Sequence, residues 1–546
     1  MNKTIAAILG FFMVISMFGC ATKPGVMNSA NVDSAATELA YTTIESGPIM
    51  GMNYHGVYNF RGIPYAKAKR FQMPEKADPW TNVRPCLTWG VACPQPSISP
   101  TPYTSFTEFM TPSDHNFVWN EDCQNLNVWT QSLDASARKP VIVFLHGGGF
   151  LGGSSMELIY YSGHNITASG DVVFVSVNHR LNVVGSLDLS AYDEKYKYSA
   201  NCGMADIVAA LQWVHDNITS FGGDPSNVTL VGQSGGTVKV QALLGIPSAK
   251  GLFNKAVLHS HASDLEPSSR IADRRAQSDK TLEVLGISKD NLSDIETVPY
   301  DKLAAAAMEA GMVYGPCLDD DFYPAKAWVN GEEIAMSRDI PIIASSTYSE
   351  TSDNFAPLVL GMKDGFYRPD MTEEDVIAAL KAKYGDSADE IIAEFKKAYP
   401  EKELFDALFI DIARNNNVAT IRAKNGGAPV YQTVYAMNYP IFGGVTSIHT
   451  GGCLPYLFNN VDKINILIAG NETAAAEMAR IASTYLCNFA RTGDPNGQNL
   501  PEWPAFDLEN GYTLIMDDPC EARPYHDQKL LDLIDPLGEA TLPAGV

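Results

Sequence analysis

Val228-Thr229-Leu230-Val231-Gly232-Gln233-Ser234-Gly235-Gly236 constrains this chain more than any other stretch. An apolar run, Val228 to Val231, leads into Gly-x-Ser-x-Gly, and Thr237 to Leu244 follows with the composition of a helix. Strand, sharp turn and helix in that order make a nucleophile elbow. The turn is too tight for side chains at Gly232 and Gly236, so glycine stands two residues either side of the serine. Ser234 is then held above a strand end with its hydroxyl exposed and a helix N-terminus beneath it. A Gly-rich turn that merely contains serine would not require the flanking strand and helix.

The rest of the chain has a rhythm that suits such an elbow. Val141 to Leu145, Asp171 to Val177, Ala256 to Leu258, Ile340 to Ala344 and Val430 to Tyr435 are largely apolar runs, as strands buried on both faces should be. Ala205 to Ile218 has helical spacing, with Ile207, Leu211, Val214 and Ile218 on one stripe. Alternating strands and helices predict an α/β fold, a mostly parallel sheet flanked by helices. Mainly helical segments at 263–338 and 373–414 read as insertions capping the sheet's C-terminal edge, not as separate domains. Arg61 to Ala66 reads as a turn, and a Pro/Thr/Ser-rich stretch from Cys93 to Ser113 as a long surface loop.

The N-terminus stands apart. Lys3 precedes a nearly unbroken apolar run from Ile5 to Phe18, short for a bilayer span but suited to a secretory leader. Met17-Phe18-Gly19-Cys20 resembles the bacterial lipoprotein cleavage box, in which the cysteine becomes the lipidated N-terminus; Phe18 stands where a small residue is usual. Residues 1–20 are therefore expected to be a signal peptide, 21–40 a tether, and 41–546 one domain. The expected place is outside the cytoplasm of a bacterium, lipid-anchored to the envelope or secreted. A net charge of −24 argues against a nucleic-acid partner and against a polybasic membrane surface, leaving the N-terminal lipid as the membrane attachment. Of nine cysteines, eight follow Cys20, with no Cys-x-x-Cys and no Cys/His cluster at zinc spacing, so no metal is indicated.

A serine needs a base to become a nucleophile. In this fold acid and base follow the serine in the chain, which leaves His259, His261, His449 and His526. The first two come too early for an acid to intervene, and His526 lies in a polar tail. His449 follows the last apolar strand in a glycine-bracketed loop, and is the expected base. Glu350, just past the strand ending at Ala344, is the expected acid; Asp353 is a close rival and Asp319 to Asp321 distant ones. An oxyanion hole completes such a site. Leu145-His146-Gly147-Gly148-Gly149-Phe150 follows the first buried strand, and Gly148, Gly149 and Gly235 are the expected donors.

With these residues in place the chain resembles the type-B carboxylesterase/lipase family, which also includes the cholinesterases. The likeness runs from about Tyr41 to Leu533. Glu121-Asp122-Cys123-Gln124-Asn125-Leu126-Asn127-Val128-Trp129 is similar to the family's second signature, and Phe221-Gly222-Gly223-Asp224-Pro225 to the stretch before its elbow. Asn178-His179-Arg180-Leu181 and Gly315-Pro316-Cys317-Leu318-Asp319 fall in family order. The resemblance implies an α/β-hydrolase fold and a triad of Ser234, Glu350 and His449. It also implies a disulfide between Cys93 and Cys123 and no cofactor. The implied activity is hydrolysis of a small-molecule carboxylic ester through an acyl-enzyme. Lipase or amidase activity on the same triad, or a non-catalytic binding module, are the alternatives. Gln233 replaces the family's usual glutamate, and Gln124 its leucine. Thr450-Gly451-Gly452-Cys453 is one residue longer than usual, and Thr351 follows Glu350 where glycine is usual. No tryptophan stands before Cys123 at the spacing that holds choline, which disfavours a choline ester.

Overall fold

Each apolar run expected to be buried on both faces becomes a strand of one sheet. The computed structural model describes residues 37–95, 118–260, 262, 268–350, 368–412, 416–444 and 449–535. The leader with Cys20, the Pro-rich loop beyond residue 95, His261 and Asp353 lie outside the described residues, as does the side chain of His449.

The strands are β1 (Thr37–Ile44), β2 (Gly47–Tyr54), β3 (Val57–Pro64), β4 (Asn125–Thr130), β5 (Lys139–Leu145), β6 (Val173–Val177), β7 (Gly223–Gln233), β8 (Lys255–His259), β9 (Ile342–Thr347), β10 (Val430–Tyr435), β11 (Tyr512–Met516) and β12 (Glu521–Pro524). They lie in the order β1-β2-β3-β4-β6-β5-β7-β8-β9-β10-β11-β12. From β6 to β11 every neighbouring pair is parallel. The flanks, β1 to β4 and β12, are antiparallel.

Burial on both faces is explicit in the side chains. Val141, Val143 and Leu145 of β5 feed one core together with Val228, Leu230, Ala256, Leu258, Ile342 and Ala344. Ile142 and Phe144, with Val231, Val257 and Ile343, feed the core on the other face. Successive side chains of a strand point to opposite faces, so a run apolar at every position supplies both cores at once. Full burial of such a side chain contributes about 1.5–3 kcal/mol.

Among the helices, α1 (Cys202–Asn217), α2 (Gly235–Leu243), α3 (Ile271–Leu285), α4 (Tyr300–Glu309), α5 (Glu373–Tyr384), α6 (Ala388–Ala398), α7 (His449–Leu457) and α8 (Glu472–Thr492) bear on the site. α3 and α4 leave the sheet between β8 and β9, and α5 and α6 between β9 and β10. They build satellite cores with residues that follow strand C-termini: Leu282 and Leu303 with Val183 and Leu187, and Val376 and Ile391 with Tyr348. The insertions gather at the edge where they were expected.

The expected turn at Arg61 to Ala66 is instead the end of β3, which runs on to Pro64. A register shift between Phe60 and Ile63 accommodates Gly62 at φ 66°. A bulge has the Gly and Pro content of a turn, and the paired β4 decides between them. β11 and β12 went unpredicted: the first is a short run after a loop, and the second has no apolar face.

Candidate active site

Parallel register brings the strand ends together. Gly232 of β7 lies opposite Leu145 of β5, and Gln233 opposite His259 of β8. Leu258 pairs with Ala344 of β9, whose Thr347 meets Tyr435 of β10. The residues that follow these ends therefore share one edge, the C-terminal edge where open parallel sheets place their sites.

Ser234 sits between β7 and α2 at φ 56°, ψ −125° and is 5% exposed. A non-glycine residue in this region costs on the order of 1–3 kcal/mol and persists only where its surroundings enforce it. The enforcement is visible. The Ser234 N–H donates to the His259 carbonyl at 2.9 Å, and the Ser234 carbonyl accepts from the Thr237 N–H at 2.8 Å. The Thr237 hydroxyl lies 2.6 Å from the His259 carbonyl and 3.0 Å from that of Gly232. A Cβ on Gly232 would come within 2.2 Å of the Gly236 carbonyl oxygen, and one on Gly236 within 2.0 Å of that of Leu145. The glycines flanking the serine are steric requirements.

The loop after β5 lies against this turn. Gly148 and Gly149 have φ of 79° and 59°. A Cβ on Gly235 would meet the Gly149 Cα at 2.4 Å and its nitrogen at 2.6 Å, and one on Gly147 would lie 3.4 Å from the Ser234 Cβ. All three expected oxyanion glycines are thus gathered beside the serine. Their backbone approaches so closely because no side chain intervenes.

Glu350 follows β9 by three residues and is 6% exposed. Its Oε1 accepts the Thr347 N–H at 2.8 Å, and its own N–H donates to Asp411 Oδ1. Its charge reaches His259 and Cys453. Cys453 stands one turn along α7 from His449, so the helix that His449 opens runs beside the Glu350 carboxylate. Where a glycine-bracketed loop was expected at His449, the structure has a helix start. The distant acid candidates are elsewhere: Asp319 bonds Asn201 and the Tyr323 N–H, and Asp321 bonds Lys197 and Tyr198 on the surface.

His259 serves the elbow through its carbonyl. Burial pushes its imidazole down to about 4, against the opposing pull of Glu350, so it stays neutral near pH 7. The ring lies 5.7 Å from that of Tyr435, edge to face, and neither ring nitrogen has a hydrogen-bond partner among the described residues. The His526 side chain is 5% exposed and packs against Tyr399, with rings 5.2 Å apart, and is not in an open tail.

Two departures acquire structural roles. Gln124 is buried and donates to Asp206 at 3.2 Å, joining the bidentate pair that Arg180 makes with Asp206 at 2.8 and 2.7 Å. Burial alone would lower the Arg180 pKa; the Asp206 charge overcomes it and raises it. Gln233 is fully buried, and its side-chain oxygen would be met at 2.9 Å by a Cβ on Gly147, which places the amide beneath the Gly147–Gly149 loop.

The implied Cys93–Cys123 disulfide is not formed in this structure. Both residues are thiols, buried together with Leu181, whose N–H donates to Cys93 Sγ at 3.2 Å. Burial raises the Cys123 pKa, and a hydrogen bond with Cys93 raises it further.

Lys239 escaped the sequence reading. It is wholly buried in α2, and its Nζ donates to the carbonyls of His146 at 2.9 Å and Gly149 at 3.0 Å. The available signal was a lone charge among the apolar residues of Thr237-Val238-Lys239-Val240.

A family model described as "Carboxylesterase family" matches residues 38–531. The para-nitrobenzyl esterase of Bacillus subtilis (strain 168) is 32% identical, over 87% of this chain and 94% of its own. The phenmedipham hydrolase of Pseudarthrobacter oxydans is 29% identical, over 88% and 95%. Among solved structures, an esterase from anaerobic Clostridium hathewayi that can hydrolyse aliphatic aromatic polyesters superposes with a TM-score of 0.82 at 34% identity, covering 92% of this chain and all of that one. With a mostly parallel sheet, an elbow serine at its C-terminal edge and these relatives over nearly its whole length, the chain is a carboxylic ester hydrolase of the α/β-hydrolase fold and belongs to the carboxylesterase family.

Proposed function

We propose that this protein is an exported serine carboxylesterase working through Ser234, His449 and Glu350. The carrying observation is the convergence of the strained Ser234 elbow with the Gly148–Gly149 backbone pressed onto Gly235. His449 takes the Ser234 hydroxyl proton as Oγ attacks the ester carbonyl. The carbonyl oxygen gains the negative charge and is held by the N–H groups of Gly148, Gly149 and Gly235. As the C–O bond to the alcohol breaks, His449 returns the proton to the leaving oxygen. Water, deprotonated by the same imidazole, then hydrolyses the acyl-enzyme to the free acid. Glu350 stabilises the imidazolium and sets its orientation; its fixed carboxylate next to α7 supports that role.

Relatives named for a para-nitrobenzyl ester and for aliphatic aromatic polyesters support aromatic esters as substrates. The leader and Cys20 support a lipid-anchored protein outside the cytoplasm. In an oxidising compartment the adjacent Cys93 and Cys123 thiols close into the disulfide.

Hydrolysis of short and medium p-nitrophenyl esters by the form lacking residues 1–20, beside Ser234→Ala, tests the activity. Activity lost in the variant, by about 10⁴-fold or more, upholds the reading. A wild type that is inactive yet labelled at Ser234 by a fluorophosphonate points to a different acyl substrate. A wild type neither active nor labelled overturns it. For the anchor, an alkyne-tagged fatty acid should label the full chain and not Cys20→Ser.

A further inference from the structure

The oxyanion reading requires the N–H groups of Gly148 and Gly149 to stand at fixed positions, although glycine backbone is the most pliable there is. The loop solves this through its carbonyls. A peptide unit is planar, with C=O and N–H pointing in opposite directions, so holding one end aims the other. The Gly148 N–H shares a peptide with the Gly147 carbonyl, which His146 Nδ1 approaches at 2.9 Å. The Gly149 N–H shares one with the Gly148 carbonyl, which accepts from the Gly152 N–H at 3.1 Å. On either side of these two units stand the carbonyls of His146 and Gly149, and Lys239 Nζ bonds both. Four successive carbonyls are thereby engaged.

Lys239 is well placed for this. It lies four residues after Gly235 in α2, on the same helix face, and helical side chains lean toward the N-terminus. From there its stem reaches back to the loop that rests on Gly235. Nζ also lies 5.0 Å from the centre of the Phe150 ring, the next residue of the loop. Stability alone would favour an apolar residue at this position, because a buried ammonium loses its hydration and its partners among the described residues are neutral carbonyls. Burial pushes its pKa down to about 7, with the Glu157 charge opposing. The bracket survives that titration, since a neutral amine still has two N–H donors.

We propose that Lys239 is the positioning residue of the oxyanion loop, its two hydrogen bonds bracketing the peptides that carry the Gly148 and Gly149 donors and holding them in register with Ser234. The proposal rests on those glycines forming the oxyanion hole.

The test compares wild type with Lys239→Met, which keeps the stem and removes the donors, and Lys239→Gln, which keeps a neutral N–H donor. Three quantities are read: kcat and KM for p-nitrophenyl butyrate, the dissociation constant of an alkyl trifluoromethyl ketone, and the unfolding temperature. The ketone adds the serine oxygen and places its oxyanion in the hole. Lys239→Met should lose about 10- to 100-fold in kcat with KM nearly unchanged, and ketone affinity should fall by the same factor as kcat/KM. Lys239→Gln should recover part of both. Tight ketone binding undiminished in Lys239→Met overturns the role of Lys239 and leaves the hole standing. A wild type that binds the trifluoromethyl ketone no better than the matching methyl ketone overturns the hole and the proposal together. Loss of kcat, KM and folding in step, or failure of both variants to fold, assigns Lys239 to the core and also overturns it.

Discussion

Between Leu145 and His259 the site consists of turns a few residues long, each fixed at once by the backbone of the next strand. The proposed acid and base lie between Thr347 and His449, on long excursions, since among the described residues the chain leaves β9 at Thr347 and returns to the sheet at Val430. The serine side is held by close backbone contact: glycines without room for a Cβ, the His259 carbonyl on the Ser234 N–H, Lys239 on the loop carbonyls. The acid side is held by side-chain hydrogen bonds, Glu350 to the Thr347 N–H and Asp411 to the Glu350 N–H. A nucleophile and an oxyanion hole must agree in position to a fraction of an ångström, which close-packed backbone supplies. An acid that acts through the imidazole tolerates delivery by a loop, provided the loop is pinned.

The contrast breaks most sharply at the acid. Glu350→Gln keeps the shape and removes the charge, and should lower kcat by about 10³- to 10⁴-fold while leaving the unfolding temperature near wild type. Asp411→Asn, which loosens only the pin, should cost far less. Equal losses in steady-state kinetics would make Asp411 a partner of the triad and not a support. On the serine side, Gly236→Ala should damage the fold itself. With its Cβ 2.0 Å from the Leu145 carbonyl oxygen, β5 and α2 must separate. We expect a loss of about 2–4 kcal/mol in denaturant unfolding together with most of the activity. A stable, inactive variant would show that the elbow's geometry is less tied to the sheet than its contacts indicate.

The effect smallest in activity is one of acid stability. His259 titrates at 6.5 when unfolded and at about 4 when buried, so below pH 6.5 the unfolded chain binds the proton first. Stability attached to the neutral ring is complete above pH 6.5 and falls as pH drops toward 4, by on the order of 3 kcal/mol. His146 and His179, lowered by the same burial, add to the slope in the same direction. Urea unfolding between pH 4 and 7 should show a flatter curve for His259→Gln than for wild type; identical slopes would remove His259 from the account.

Legibility followed the same division. Gly232, Ser234, Gly235 and Gly236, the glycines after Leu145 and six of the seven parallel strands could be read because each rests on a local rule: no room for a Cβ, or an apolar run too regular for one buried face. Glu350 was reached from its place just past an apolar run, with Asp353 a close rival; Glu350 does follow the end of β9, while Asp353 lies outside the described residues. The bulge in β3 was read as a turn because a bulge and a turn share Gly and Pro, and pairing with β4 distinguishes them. Gln124 was legible only as a departure from the family's leucine; its amide on the Arg180–Asp206 pair depends on strands and helices far apart in the chain.

By itself, then, the sequence determined the parallel centre of the sheet, the elbow and the glycine loop after Leu145, because strand burial and glycine sterics act within a few residues of chain. Tertiary structure alone decided that Lys239 grips the loop carbonyls, that His259 lends its carbonyl and not its ring, and that Glu350 stands beside α7. Those depend on which strand ends lie side by side, and parallel register across strands far apart in the chain is what brings them together.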